Sequence, residues 1–570
     1  MGKANLHITK SKLAIILIAV FSILFIYTIK WNGISGQNYR NTIKSDGIGY
    51  YQYIPSILEG KLSNQVENGT YLIKIKNARV VNKYFIGTSI MVAPFVLPVY
   101  ITQKIACIPI DFYSEYYQKA YSIAALFYLL IGLIAFRKLL ILYNIEPKVI
   151  AFSIFAIFAG TNLAYYSLLE PSMSHVYSFG IISLFIYNLK EFSIKQKPSS
   201  IIKLSILLGI IVLIRPVNVV IILIIPFIVN TNYRSIIAFI KAKPSYFVYS
   251  LLIFVILLSI QSLAWWLQSG KVLLWSYSNE GFYFSKPEII NFLFSFRKGA
   301  FIYTPIILLS IIAFSIKNRN NLKQILTALL FFAGIVYILS SWWNWYYGDS
   351  FGSRVMVEFM TFIILLFAIA VNQIKAIKQR KIILLASLLI MLNIFQTYQY
   401  YYQIISPFDM NYEKYKYVFA KYGEENRGIL GYNSDIIQYH QSDPIQLIDT
   451  NINTNNNSSK FEYIIKANEL MDYKSSFLIF SCEIINHNSD LSKAFWQISY
   501  NDSLGNSIIA TQLKLNEIPL CNNESRKNNY SFRLPKPINS RDTYKLRIVN
   551  PQRANFDLEY VKLKILGIKK

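Results

Sequence analysis

The chain has 570 residues, of which 54% are apolar, 16% aromatic and only 15% charged. Soluble proteins of this size carry about a quarter charged residues, so the composition excludes ordinary cytosolic, disordered and collagen-like chains and describes a polytopic membrane protein. The net charge of +27 does not mark a nucleic-acid binder, because residues 401–570 hold 21 Lys/Arg against 18 Asp/Glu while residues 1–400 hold 36 against 12. The excess lies between apolar segments, where cytoplasmic loops collect Lys and Arg. No nucleic-acid partner is expected.

Eleven apolar runs read as spans, at about 13–30, 118–142, 149–168, 173–189, 203–214, 217–229, 246–266, 301–317, 324–341, 355–372 and 382–400. The first follows Lys3, Lys10 and Lys12 and has no small-residue cleavage site, so it reads as an anchor. With a cytoplasmic N-terminus, the predicted inner segments hold twenty basic residues against two acids, Glu146 and Glu191. Residues 85–106 are apolar enough to cross but contain Pro94 and Pro98, and a crossing there would put Arg137 and Lys138 outside. They are therefore expected to be re-entrant or surface-lying. Arg215–Pro216 interrupts the run 203–229, which reads as two short helices meeting near the outer face. This reading makes the protein an integral protein of a bacterial-type inner (plasma) membrane, with its C-terminus extracytoplasmic.

Three regions are expected: a membrane domain at 1–402 with a first outer loop at 31–117, a linker region at 403–459, and a second domain at 460–570. The last holds seven short alternating segments from FEYIIKA to LEYVKLKIL, separated by Asn/Gly/Pro-rich gaps. The fold class is thus an all-α polytopic membrane domain followed by an extracytoplasmic all-β sandwich. Cys482 and Cys521 lie in the sandwich, as a disulfide or as two free thiols.

Soluble-enzyme motifs are missing from the sequence: it has no P-loop, GxGxxG, CxxC, HExxH or GxSxG. His7, His175, His440 and His487 are too scattered for a metal cluster. No cofactor is expected, with a divalent metal left open. The informative residues are polar and outward-facing. Asp46 follows the first span and precedes a Tyr-rich stretch, Gly47 to Tyr53, suited to headgroup depth. A carboxylate there can meet a hydroxyl acceptor from water and a lipid-borne donor from the membrane; a helix-capping Asp is the plainer reading.

An Asp at that position resembles the GT-C superfamily of polyprenyl-phosphate-sugar-dependent glycosyltransferases, such as protein O-mannosyltransferases and the aminoarabinose transferase of lipid A. The resemblance extends through Asn82-Lys83-Tyr84-Phe85-Ile86-Gly87, Glu170-Pro171-Ser172-Met173-Ser174-His175, Leu213-Ile214-Arg215-Pro216, Leu293 to Gly299, and Trp342 to Arg354. Two departures stand out. The family often has Asp-Glu where this chain has Asp46-Gly47, and the double proline after Lys83 is absent.

The resemblance implies sugar transfer from a polyprenyl-phosphate donor to a glycan, lipid or protein acceptor. Such a displacement needs one carboxylate to take the acceptor proton, the role assigned to Asp46. The phosphate leaves readily, so no second carboxylate acid is needed, unlike in glycosidases. It does need fixed positive charge. Lys83, Arg215, Arg297 and Lys298 are the candidates, with His175 as a hydrogen-bonding partner. Arg215 is alternatively a snorkelling arginine, and Arg297 and Lys298 a basic anchor before a span. Tyr50, Tyr51, Glu170, Trp342, Trp343, Trp345, Tyr346, Asp349 and Arg354 are candidates for sugar, lipid or acceptor contacts. An interfacial aromatic belt explains the Trp/Tyr group equally well, and a structural Arg354–Asp349 pair explains the last two. An O-antigen-type polymerase or ligase is the competing enzyme reading, and a lipid or glycan transporter the competing non-enzyme.

Overall fold

The computed structural model describes residues 9–33, 39, 42–62, 71–74, 79–278, 280–407, 410–423, 426, 445–453, 461–487, 494–515, 525–534, 537–550 and 553–569. The chain divides into two compact units. The first is Met1–Lys30, Thr42–Tyr347 and Phe351–Ile394; the second is Trp31–Asn41, Gly348–Ser350 and Phe395–Lys570.

The first unit is helical. Helix α1 (Lys10–Phe25) runs into a π-helical turn (Ile26–Trp31). Next come the short helices α2 (Asp46–Tyr51) and α3 (Tyr53–Leu58), and a hairpin of β1 (Leu72–Lys74) and β2 (Val80–Asn82). Then follow α4 (Gly87–Ile105), α5 (Glu115–Leu142), α6 (Pro147–Ala159), α7 (Leu163–Leu168), α8 (His175–Lys195) and α9 (Pro198–Ile214). After Arg215 the chain continues as a 3₁₀ helix (Pro216–Ile224), α10 (Ile225–Val229), α11 (Tyr233–Ala242) and α12 (Pro244–Ser269). The rest are α13 (Ile289–Phe294), α14 (Ala300–Tyr303), α15 (Ile306–Lys317), α16 (Leu322–Ser340), a 3₁₀ turn (Arg354–Phe359), α17 (Met360–Asn372) and α18 (Ala376–Tyr401).

Among the described residues, seven helices are long and apolar enough to cross a membrane, or eight if the bent pair Pro216–Val229 and Tyr233–Ala242 is one span. This is a polytopic membrane protein. The seven include Gly87–Ile105, which the sequence places outside the set of spans. Its two prolines do not break it: α4 is continuous through Pro94 and Pro98. Pro147–Ala159, Pro198–Ile214 and Ile306–Lys317 are apolar but shorter, and the run 173–189 lies in α8, whose end carries Lys190, Glu191 and Lys195.

The segment Arg354–Asn372 is the centre of the unit, with 94% of its most apolar window buried. Its residues from Met360 to Val371 are apolar apart from Thr361, and all are buried. Gly87 explains how α4 docks: a Cβ there would lie 2.2 Å from the backbone carbon of Leu213, so only glycine lets α4 approach the end of α9. Arg215 itself is extended (φ −151°), and Pro216 starts the next helical piece, which is where the expected break falls.

The second unit contains α19 (Tyr412–Val418) and eight strands: β3 (Ile445–Asn453), β4 (Glu462–Lys466), β5 (Tyr473–Asn486), β6 (Phe495–Asn501), β7 (Ser507–Lys514), β8 (Ser525–Leu534), β9 (Thr543–Val549) and β10 (Phe556–Lys569). They form two four-stranded antiparallel sheets, ordered β3-β10-β5-β8 and β4-β9-β6-β7. Alternation builds the core, as in β9, where Tyr544, Leu546 and Ile548 are buried and Lys545 and Arg547 are not. Trp496 meets Phe480 edge-on at 5.0 Å, and Phe480 stacks on Tyr530 at 4.7 Å, so side chains from both sheets share one core. Each such side chain contributes about 1.5–3 kcal/mol by burial. β3 falls inside the stretch read as linker and forms an edge strand paired with β10. Cys482 is buried and free, and Cys521 lies outside the described residues, as does His440.

Candidate functional site

Asp46 opens α2 directly after Ser45, whose positive φ of 51° is a conformation that side chains other than glycine rarely adopt. Gly47 lets α2 lie against the chain before α8: a Cβ there would stand 2.1 Å from Ser172 Oγ. A Glu at that position, as in the family pattern, would not fit this packing.

Both oxygens of Asp46 are held. Tyr84 Oη donates to Oδ1 at 2.7 Å, and Arg354 Nη2 donates to Oδ2 at 2.8 Å across 308 positions of sequence. Tyr84 is fixed in turn. Its N–H donates to Asn82 Oδ1, its carbonyl accepts from Tyr53 Oη, and Asn82 Nδ2 donates to the Gly49 carbonyl of α2. Burial pushes the Asp46 carboxyl up, but the Arg354 charge, the hydrogen bonds from Tyr84 and Arg354 and the charge of Lys83 outweigh it, so it lies below the ordinary aspartate value. Burial, and then Asp46, push the Tyr84 phenol well above the ordinary tyrosine value, so it stays a donor. The Asp46 side chain is 27% exposed, so a small hydroxyl can still reach it.

A second cluster forms at Arg215. Its Nη1 donates to Glu358 Oε1 at 2.7 Å and lies 3.0 Å from His175 Nδ1, which is 2.8 Å from the same Glu358 oxygen. Glu358 is 1% exposed on its side chain. Arg354 and Glu358 stand four residues apart in the 3₁₀ turn that opens the central segment, so one element supplies both clusters. Lys83 pairs with Glu280 at 3.2 Å and has its Nζ 5.3 Å from the Tyr84 ring centroid. Tyr50, Tyr84, Tyr277 and Trp342 form a chain of ring contacts, with centroids 4.4, 6.3 and 5.6 Å apart.

The remaining candidates lie elsewhere. Tyr51 is a core residue whose hydroxyl donates to the Phe112 carbonyl. Glu170 pairs with Lys44 at 3.4 Å and accepts from Tyr165 Oη at 3.1 Å, beside the Leu169 carbonyl that accepts from Lys30. Arg297 covers the Tyr346 ring at 3.5 Å, and Trp345 packs edge-on against Tyr346. Lys298 is buried, while Trp343 is 44% exposed, its backbone N–H donating to the Gly281 carbonyl. Asp349 belongs to the second unit and is exposed, and Arg354 of the first unit pairs with Asp46. A cavity of about 690 Å³, lined by Tyr100, Gln103, Lys104 and Phe112 among others, does not include Asp46.

No family model matches this chain, and no curated protein does. One solved structure similar to it is that of arabinosyltransferase EmbB from Mycobacterium smegmatis. The two are 9% identical with a TM-score of 0.35, and the match covers 98% of this chain and 64% of that one. The chain thus spans less than two thirds of that protein's length.

Sequence reasoning passed over Glu358, Glu280 and Tyr277 and gave Tyr84 no role. Glu358 had a signal: it is an acid inside the apolar run 355–372, where ionisable residues are expensive and mark function or pairing. Among the described residues, no group of three or more His, Cys, Asp or Glu side chains could hold a metal ion. What the site offers is two partly exposed carboxylates, Asp46 and Glu280, one fixed phenol donor, Tyr84, and three cations, Lys83, Arg215 and Arg354, gathered from five separate stretches of chain.

Proposed function

We propose that this protein is a membrane glycosyltransferase that moves a monosaccharide from a polyprenyl-phosphate donor to a hydroxyl acceptor on the extracytoplasmic face, by inverting displacement. The observation that carries the reading is the partly exposed carboxylate of Asp46, fixed by Tyr84 and Arg354 and lying in the field of Lys83. Asp46 takes the acceptor proton as the acceptor oxygen bonds to the anomeric carbon. The bond from that carbon to the phosphate oxygen breaks, and the phosphate leaves with the electron pair. Lys83, Arg215 and Arg354 supply the positive field it departs into.

In this reading the membrane domain covers 1–402 and crosses eleven times, 403–459 joins it to the sandwich domain at 460–570, and the membrane is a bacterial-type inner membrane. Contacts at both ends of α1 support the crossing pattern. Ser11 near its start accepts from Arg137 of α5, and Lys30 beyond its end donates to Leu169, so basic inner residues and the Asp46 side fall at opposite ends. The eleven do not include α4.

The test is incubation of purified protein with a panel of radiolabelled polyprenyl-phosphate monosaccharides, scoring sugar transfer and prenyl-phosphate release. One donor should be consumed by the wild type and not by Asp46→Asn. Turnover of no donor in the panel, or undiminished transfer by Asp46→Asn, contradicts the proposal.

A further inference from the structure

The charges at the site are already spent on one another. Arg354 is paired with Asp46, Arg215 with Glu358, and Lys83 with Glu280. A phosphate-bearing donor therefore meets no idle cation among these three, and the proposed base has both its oxygens occupied. Either the donor is held without a direct charge contact, or one of the three pairs opens.

The pairs differ in what opening would leave behind. Glu358 is 1% exposed, and losing Arg215 would strand a buried carboxylate, the most damaging outcome for an ion pair. Opening Lys83–Glu280 would free a cation but leave the Asp46 oxygens as they are. Arg354–Asp46 is the pair built to yield. It is a one-point contact from Nη2, the other terminal nitrogen of the guanidinium meets, among the described residues, the Met173 sulfur at 3.7 Å, and the carboxylate is the more exposed partner. A guanidinium binds phosphate oxygens in a two-point fork that this contact with Asp46 does not use.

Resting on the glycosyltransferase reading above, we propose that the donor unmasks its own base: Arg354 leaves Asp46 for the incoming phosphate, and Asp46 Oδ2 becomes the atom that accepts the acceptor's proton. Tyr84 is the positioning residue in this exchange. Its hydroxyl keeps Oδ1 in place after Arg354 departs, because the segment Asn82–Tyr84 is tied to α2, α3 and α12 through Gly49, Tyr53 and Gln268. The charged and titratable groups facing Asp46 are Arg354, Tyr84, Lys83, Tyr50 and Tyr277. Of these, Arg354 is the largest favourable charge, so its transfer raises the basicity of Asp46 when a substrate is present and keeps it low otherwise. Before the donor binds, each oxygen of Asp46 already accepts one hydrogen bond and its carboxyl is held low by Arg354, so it is a weak base until the exchange.

The exchange makes an unusual prediction about an inactive variant. A polyprenyl monophosphate, the leaving product, should bind Asp46→Asn about tenfold tighter than wild type, because Arg354 no longer has to be taken from a carboxylate. That gain should vanish in the Arg354→Gln background, and Glu280→Gln should not reproduce it through Arg354. The measurement is equilibrium binding of the labelled lipid phosphate to purified full-length protein in detergent. Should Arg354→Gln fail to accumulate, Arg354→Lys serves instead and should reduce the gain. A second readout is the pH profile of transfer by the wild type: the acidic limb of kcat should lie about one pH unit or more above that of kcat/KM for the donor. Equal or weaker lipid-phosphate binding by Asp46→Asn, a gain that survives loss of Arg354, or coincident acidic limbs overturns the exchange. The broader reading fails separately, if Asp46→Asn still transfers sugar.

Discussion

Two arginine–carboxylate pairs are anchored by the same 3₁₀ turn, yet they are opposites. Arg215–Glu358 is sealed: its carboxylate is 1% exposed, and His175 closes on the same oxygen. Arg354–Asp46 stands at the rim, with a carboxylate 27% exposed and a single charge contact. A sealed pair cannot be broken cheaply and so acts as architecture, fixing where α8, α9 and the central segment meet. A rim pair can exchange partners. The contrast gives the two arginines different parts in the proposed reaction: Arg215 lends its charge from within a sealed pair, and Arg354 is the one placed to exchange partners.

Several measurements can break or sharpen that contrast. The largest effect expected is on turnover, where Asp46→Asn should lower sugar transfer by roughly 10²–10⁴-fold, the usual contribution of a general base, while leaving protein abundance intact. Glu358→Ala should do the reverse in emphasis. Stranding Arg215 costs about 3–5 kcal/mol, seen as a large drop in the thermal midpoint or a failure to accumulate in the membrane. Equal stability losses for Glu358→Ala and Asp46→Ala would erase the distinction between the pairs.

An intermediate effect is expected from pH. The Asp46 carboxyl sits below the ordinary aspartate value, so the stability it contributes is whole above the unfolded value of about 3.9 and is lost as pH falls through the lowered folded one. Thermal midpoints of wild type and Asp46→Asn should therefore keep a constant separation near neutrality and converge only in acid below about pH 4. Convergence already near neutrality would mean that the pair does not hold the carboxylate ionised. The smallest effect is expected at Trp343. It is 44% exposed, and Trp343→Ala should change stability by no more than about 0.5 kcal/mol. A clear fall in activity for this variant would make it a substrate contact and extend the site along the aromatic loop.

How much of this was legible in the sequence follows from the range of the interactions. Strands announce themselves through neighbours two residues apart, and each of the seven expected segments overlaps a strand; β3 lies in the stretch read as linker, where its last residues run into the Asn/Ser tract from Asn451. The break at Arg215 was legible because Pro216 acts locally. The continuity of α4 was not, since Pro94 and Pro98 speak against it and the supporting contacts, such as Tyr128 Oη on the Met91 carbonyl, come from another helix. Asp46 could be singled out by its position, but its partners could not. Tyr84 is 38 positions away and Arg354 is 308, and no local periodicity carries a pairing at that range. The nearer acid in the sequence is Asp349, and only the fold shows that Arg354 donates to Asp46.

The most direct test of the central claim is the structure of the protein with a polyprenyl monophosphate bound in a lipid nanodisc. The account predicts the phosphate against the Arg354 guanidinium, with Asp46 still on the Tyr84 hydroxyl and its other oxygen turned toward the space an acceptor would occupy. A lipid phosphate seated away from both Arg354 and Asp46 would contradict it.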